Sequence, residues 1–300
     1  MIYSTEVDST DVDSTAFNSP GVHRPGADSP GADSTYWAGG FGPLPPLLAV
    51  AHGSRDPRAA ATVAELLDRV RQRAVRPGLR GLDVVTAYLD HAPPSPAQVL
   101  SALRRRGARS VVVLPLLLTD AYHSKTDIPA ILRAASATLP GLRIRYGATL
   151  GPHPALIRAM ERRLVQAGVR IAEPGTAVVL ATAGSTDPAA ATVTSRLAHD
   201  WQALRGWHAV VPAHASAASP SPAEAVSMLR RGGASQVVVA SYLLAPGVFA
   251  EKVRETSLAA GATAVSAVLG ATPELADLVL RRYAAASAGI ACLDERAAAG

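Results

Sequence analysis

Two histidines and an aspartate in the first half of the chain each follow a short apolar run. His52 lies in "LLAVAHGSRDP", Asp90 in "AYLDHAPPSP" and His123 in "LPLLLTDAYHSKTDIP". Two imidazoles and a carboxylate are a suitable ligand set for a divalent transition metal. A neutral imidazole also accepts a proton near neutral pH. His91 stands next to Asp90 and is an alternative to it at that position. The chemistry these residues suggest is metal handling coupled to proton uptake.

A second copy of each motif lacks those groups. "VAHGSRDP" at 50–57 returns as "ATAGSTDP" at 181–188, with Ala183 in place of His52. "PSPAQVLSALRRRGARSVVV" at 94–113 returns as "PSPAEAVSMLRRGGASQVVV" at 220–239, a constant offset of 126. Along that offset Asp90 corresponds to Ser216, and His123 to Phe249. A frame kept while three polar residues become Ala, Ser and Phe points to one constellation, confined to the first copy. His153, in "LGPHPAL", reads as a helix-terminus residue. His199, His208 and His214 match no motif position and read as structural or exposed.

The elements that would position the three residues follow from periodicity. "LPPLLAVAHG" is a buried strand ending in a glycine turn. "RAAATVAELLDRVRQRAV" places Val63, Leu66, Leu67 and Val70 at helical spacing. "LDVVTAYL" and "RSVVVLPLLL" are further strands, and "SPAQVLSALRRRG" is a helix with Ser95 as N-cap and Pro96 at its first position. The same strand–helix order recurs in the second half, and a repeat that runs through helix, turn and strand together marks two homologous modules. The fold class expected is α/β, each module a mostly parallel four-stranded sheet with helices on both faces. A cleft is expected between the modules. The boundaries are a disordered low-complexity tail over 1–45, modules over 46–168 and 169–286, and a flexible C-terminus over 287–300. In open α/β sheets ligands bind beyond the carboxyl ends of the strands. All three candidate residues fall there.

Composition narrows the function classes. No apolar run approaches the roughly 18 residues of a membrane span. The N-terminal stretch has neither the basic nor the apolar region of a secretory signal. The single cysteine, Cys292, rules out an internal disulfide. A cytoplasmic location is expected. Residues 1–46 carry 1 basic and 6 acidic side chains, residues 47–165 carry 18 and 8, and residues 166–300 carry 10 of each. The excess of +10 thus sits in the module with His52, which favours an anionic partner. No Walker-type or dinucleotide-binding glycine pattern accompanies the site. "HGSR" superficially resembles a histidine-phosphatase motif, but that motif needs Arg before the His, and Ala51 stands there.

"AHGSRDP", "AYLDHAPPSP" and "LPLLLTDAYHSKTDIP" resemble, over about residues 46–285, the class II tetrapyrrole chelatases that act on sirohydrochlorin in sirohaem and cobalamin biosynthesis. The resemblance implies insertion of Co2+ or Fe2+, as substrate metal, into a tetrapyrrole bearing eight carboxylates, with no organic cofactor. It carries the family's paired histidines onto His52 and His123, as metal ligands and proton acceptors. The family's acidic residue is usually Glu, and Asp90 at the matching position is one methylene shorter. Ser54, Arg55 and Lys125, inside the motifs, are the expected contacts for substrate carboxylates, and Phe249 is expected to pack against the ring. The expected partner is a small tetrapyrrole, with no nucleic acid and no membrane. A monomer with pseudo-twofold modules is expected. The alternative function is a tetrapyrrole or metal carrier on the same scaffold, without turnover.

Overall fold

Short apolar runs separated by amphipathic stretches produce, among the described residues, eight parallel strands in two sheets. The computed structural model describes residues 44–119 and 123–289. The tail expected over 1–45 and the C-terminus expected over 287–300 lie almost wholly outside the described residues. The first module runs β1 (Leu47–Ala51), α1 (Pro57–Arg73), β2 (Val84–Tyr88), α2 (Pro96–Arg105) and β3 (Ser110–Pro115). A π-helical turn at His123–Asp127 then leads into α3 (Ile128–Thr138), β4 (Arg143–Tyr146) and α4 (Pro154–Gln166). The second module repeats the order with β5 (Thr176–Thr182), α5 (Pro188–Arg205), β6 (Ala209–His214) and α6 (Pro222–Arg231). It ends with β7 (Gln236–Ser241), α7 (Val248–Ala259), β8 (Ala264–Val265) and α8 (Pro273–Ser287).

The sheets have equivalent strand orders, β2-β1-β3-β4 and β6-β5-β7-β8, and every pairing is parallel. Alternation along each strand divides its side chains between two faces. In β1, Leu47, Ala49 and Ala51 join a central core shared by both modules, while Leu48 and Val50 face an outer core with α2 and α3. In β5, Val178 and Leu180 face the centre, and Ala177, Val179 and Ala181 face α6 and α7. The helix starts follow their sequence signals. Ser95 Oγ accepts from the Gln98 amide, and the Gln98 side chain accepts from the Ser95 amide. Ser221 and Glu224 form the same box at the repeated position.

The inner helices are exchanged between modules. Helix α4, from the first module, packs on β7 of the second, and α8, from the second, packs on β3 and β4 of the first. Glu161 of α4 is 8% exposed. It accepts from Trp201 Nε1 at 3.0 Å and from Arg205 Nε at 2.7 Å, both on α5. Asp277 of α8 accepts from Arg73 Nε of α1 at 2.6 Å. Each sheet is therefore covered on its inner face by one helix of its own module and one of the other. This interlock fixes the two sets of strand ends around a common cleft.

Candidate active site

The carboxyl ends of β1 and β3, and of β5 and β7, are the points where strand order reverses in each sheet. Both points open onto one cavity of about 930 Å³. Volumes of roughly 300–1,000 Å³ are typical of small-molecule sites. His52, Ser54, Arg55, His91 and Leu116–Thr119 line it from the first module. Ala183, Ser185, Thr182, His214, Tyr242 and Phe249 line it from the second.

The repeated turn is explained by what its shared residues do. Gly53 has φ +93°, and a Cβ there would lie 1.8 Å from the Asp90 carbonyl oxygen. Gly184 has φ +93°, and its Cβ would lie 1.9 Å from the Ser216 carbonyl oxygen. Only glycine permits both that conformation and that approach. Ser54 Oγ accepts from the Asp56 amide at 3.1 Å, as Ser185 Oγ does from the Asp187 amide. Asp56 and Asp187 then cap α1 and α5. The Asp90 amide donates to the His52 carbonyl at 2.9 Å, and the Ser216 amide to the Ala183 carbonyl at 3.0 Å. Gly, Ser and Asp are thus the fabric of the turn in both copies. His52 and Arg55 are what the first copy adds.

His52 stands exposed on the cavity rim, with Nδ1 at 3.2 Å from the Gly53 carbonyl oxygen. A carbonyl only accepts, so this contact suits the tautomer with its proton on Nδ1 and the lone pair on Nε2. The His91 ring lies 6.5 Å from the His52 ring, centroid to centroid. His91 has φ 62° and lines the cavity. The Asp90 side chain is 64% exposed and does not line it. Its carboxylate accepts from the His91 amide at 2.7 Å and lies 3.3 Å from His91 Nε2. His123 opens the π-helical turn, and its side chain lies outside the described residues. Among the described residues no three His, Cys, Asp or Glu side chains converge as a metal-ligand group.

The other expected contacts separate into two groups. Ser54, Arg55 and Phe249 line the cavity, and Phe249 is 45% exposed. Arg55 has no carboxylate partner among the described residues. Lys125 does not line the cavity, and its Nζ lies 3.6 Å from Asp187 across the module boundary. At the equivalent place Arg58 is bonded to Asp56 and to Glu251 of α7. The side-chain and backbone hydrogen bonds from Arg58 hold the Asp56 carboxyl below its usual range. His153 caps α4, its Nδ1 accepting from the Ala155 amide at 3.0 Å, and His199 and His208 are exposed. His214, by contrast, is buried in the cavity wall. Its counterpart at the 126-residue offset is Tyr88, so the repeat marks no lost chemistry at that position. Burial pushes the His214 pKa down and the Tyr242 hydroxyl pKa up. Among the described residues no helix is long and apolar enough to cross a membrane.

Comparison with known proteins agrees with this architecture. The CbiX family model matches residues 46–167 and again 177–286. A sirohydrochlorin cobaltochelatase of Priestia megaterium is 28% identical over 211 residues, covering 70% of this chain and 67% of that protein. A sirohydrochlorin ferrochelatase of the same organism is 27% identical over 212 residues, covering 70% and 76%. The structure of SirB from Bacillus subtilis with Fe3+ superposes with a TM-score of 0.71 at 25% identity, covering 82% of this chain and 97% of that one. With both modules matched in order and the cleft formed by their strand ends, the chain belongs to the CbiX family.

Proposed function

We propose that this chain inserts a divalent metal, Co2+ or Fe2+, into sirohydrochlorin, with His52 and His123 holding the ion. The observation that carries this reading is a cleft into which both modules open, lined by His52 from the first and by the apolar Phe249 from the second. Metal insertion exchanges the ion's water for ring nitrogens and releases two pyrrole protons. Imidazole ligands suit both metals, so selectivity follows supply rather than donor type. The Arg55 guanidinium, which has no carboxylate partner among the described residues, and the half-buried Ser54 turn face a polyanionic macrocycle, and the +10 charge over residues 47–165 draws it in. Lys125 would join them only after leaving Asp187. His91, at the cavity rim, is better placed than the Asp90 carboxylate to meet an ion in the cleft. Sirohaem or cobalamin biosynthesis would be the setting.

The test is spectral. The purified full chain is mixed with sirohydrochlorin and Co2+ or Fe2+, and the shift in macrocycle absorption is followed against a protein-free control. Insertion faster than the control, with turnover beyond one equivalent, supports the reading. Stoichiometric binding without turnover would mark a carrier instead.

A further inference from the structure

The second module carries a histidine that the metal-holding set does not use. His214 ends β6 in the cleft wall and is 7% exposed. Its Nδ1 lies 2.8 Å from Thr182 Oγ1, itself 6% exposed at the end of β5. Thr182 Oγ1 also lies 3.4 Å from the Ala213 carbonyl oxygen. That carbonyl only accepts; with the hydroxyl proton directed to it, the hydroxyl oxygen receives Nδ1–H. In that tautomer the lone pair is on Nε2. Nε2 has no hydrogen-bond partner among the described residues. Burial lowers the imidazole pKa, which keeps the ring neutral and its lone pair available.

The reaction needs such a group. A divalent ion replaces two pyrrole protons. An imidazole nitrogen whose lone pair binds the ion cannot take up a proton at the same time. We propose that His214 is the catalytic base that removes one pyrrole proton from the module-two side while the metal is held on the module-one side. This rests on the chelatase reading above. In the step, the pyrrole N–H bond breaks and its electron pair stays on the ring nitrogen, which then binds the metal. The proton forms an Nε2–H bond. The imidazolium, steadied by Thr182, passes that proton to water in the cleft, and the second pyrrole proton leaves directly to water. Module two, which lacks the metal ligands, thereby contributes to the chemistry as well as to the wall.

The test compares His214→Tyr, His214→Ala and wild-type chains in Co2+ insertion into sirohydrochlorin. Tyrosine is chosen because Tyr88, equally 7% exposed, fills the equivalent place in module one. The expected result is a kcat lower by about 100-fold in both variants. KM for the macrocycle should stay within about twofold and each chain should still bind one Co2+, since only an interaction made in the transition state is removed. Added imidazole should restore turnover to His214→Ala in proportion to its concentration and leave wild type unchanged. Thr182→Val, which removes the Nδ1–H acceptor, should show an intermediate kcat. A His214→Tyr chain that turns over like wild type would overturn the proposal alone. A loss of kcat that imidazole does not rescue, with macrocycle affinity falling in parallel, would assign His214 a structural role and overturn it too. Absence of insertion by wild type would overturn the chelatase reading itself.

Discussion

Alanine at Gly53 and at Gly184 should separate the turn's structural task from its chemical one. Both residues have φ +93°, and the added Cβ would meet a carbonyl oxygen at 1.8 Å and 1.9 Å respectively. A left-handed conformation costs alanine about 1–2 kcal/mol. Forcing an extra carbon into a packed contact costs about 1–3 kcal/mol more. Each variant should therefore lose about 2–5 kcal/mol by urea unfolding, and the two losses should match. Their activities should not. In Gly53→Ala the carbonyl that must retreat belongs to Asp90, which moves the His91 loop away from His52. A misplacement near 1 Å costs on the order of 100-fold in rate. In Gly184→Ala the displaced carbonyl belongs to Ser216, while the His214 Cβ stays at an ordinary 3.4 Å contact. A loss below about tenfold is expected there. The assay is metal insertion at a temperature where both variants are folded. Equal activity losses, or full activity in Gly53→Ala alongside a large stability loss, would refute the reasoning.

Other outcomes follow from particular contacts. Glu161→Ala strands the Trp201 N–H and the Arg205 guanidinium at the exchanged helix, and should lower stability by about 2–4 kcal/mol in urea titration. Arg73 holds the Asp277 carboxyl below its ordinary pKa, so its stabilisation exists above the unfolded value and is lost as pH falls through the folded one. Asp277→Asn should thus cost about 1 kcal/mol at neutral pH, and the difference from wild type should shrink as pH falls below the ordinary Asp value of about 3.9 in thermal melts. Arg55→Ala should raise KM for the macrocycle by roughly tenfold and leave kcat nearly unchanged, as measured by initial rates.

Much of the scaffold is legible in the sequence because local rules govern it. Strands and helices follow the change of hydrophobic period, and Ser95 and Pro96 begin α2 as capping chemistry requires. The repeat aligns Asp90 with Ser216 correctly, since both donate backbone N–H to the residue after the neighbouring strand. The exchange of α4 and α8 is not legible. An apolar stripe shows that a helix is buried, and says nothing about which of two similar sheets it covers. The site shows the same division. His52, Arg55 and Phe249 line the cleft, whereas the Asp90 side chain turns outward and Lys125 reaches Asp187 in the other module. Side-chain direction in a loop and ion pairing across modules depend on tertiary contacts that spacing does not encode. His214 is missed for another reason. Comparing the copies reveals chemistry that module two lost, and His214 stands where module one has Tyr88.

The most direct test of a single metal-handling face is a Co2+ titration of the full chain, read by calorimetry and visible absorption. Wild type and His214→Tyr should each bind one tight equivalent per chain, and His52→Ala/His123→Ala should bind none. Two equal tight sites in wild type, or one site retained in full by the double variant, would contradict the assignment of the metal to module one.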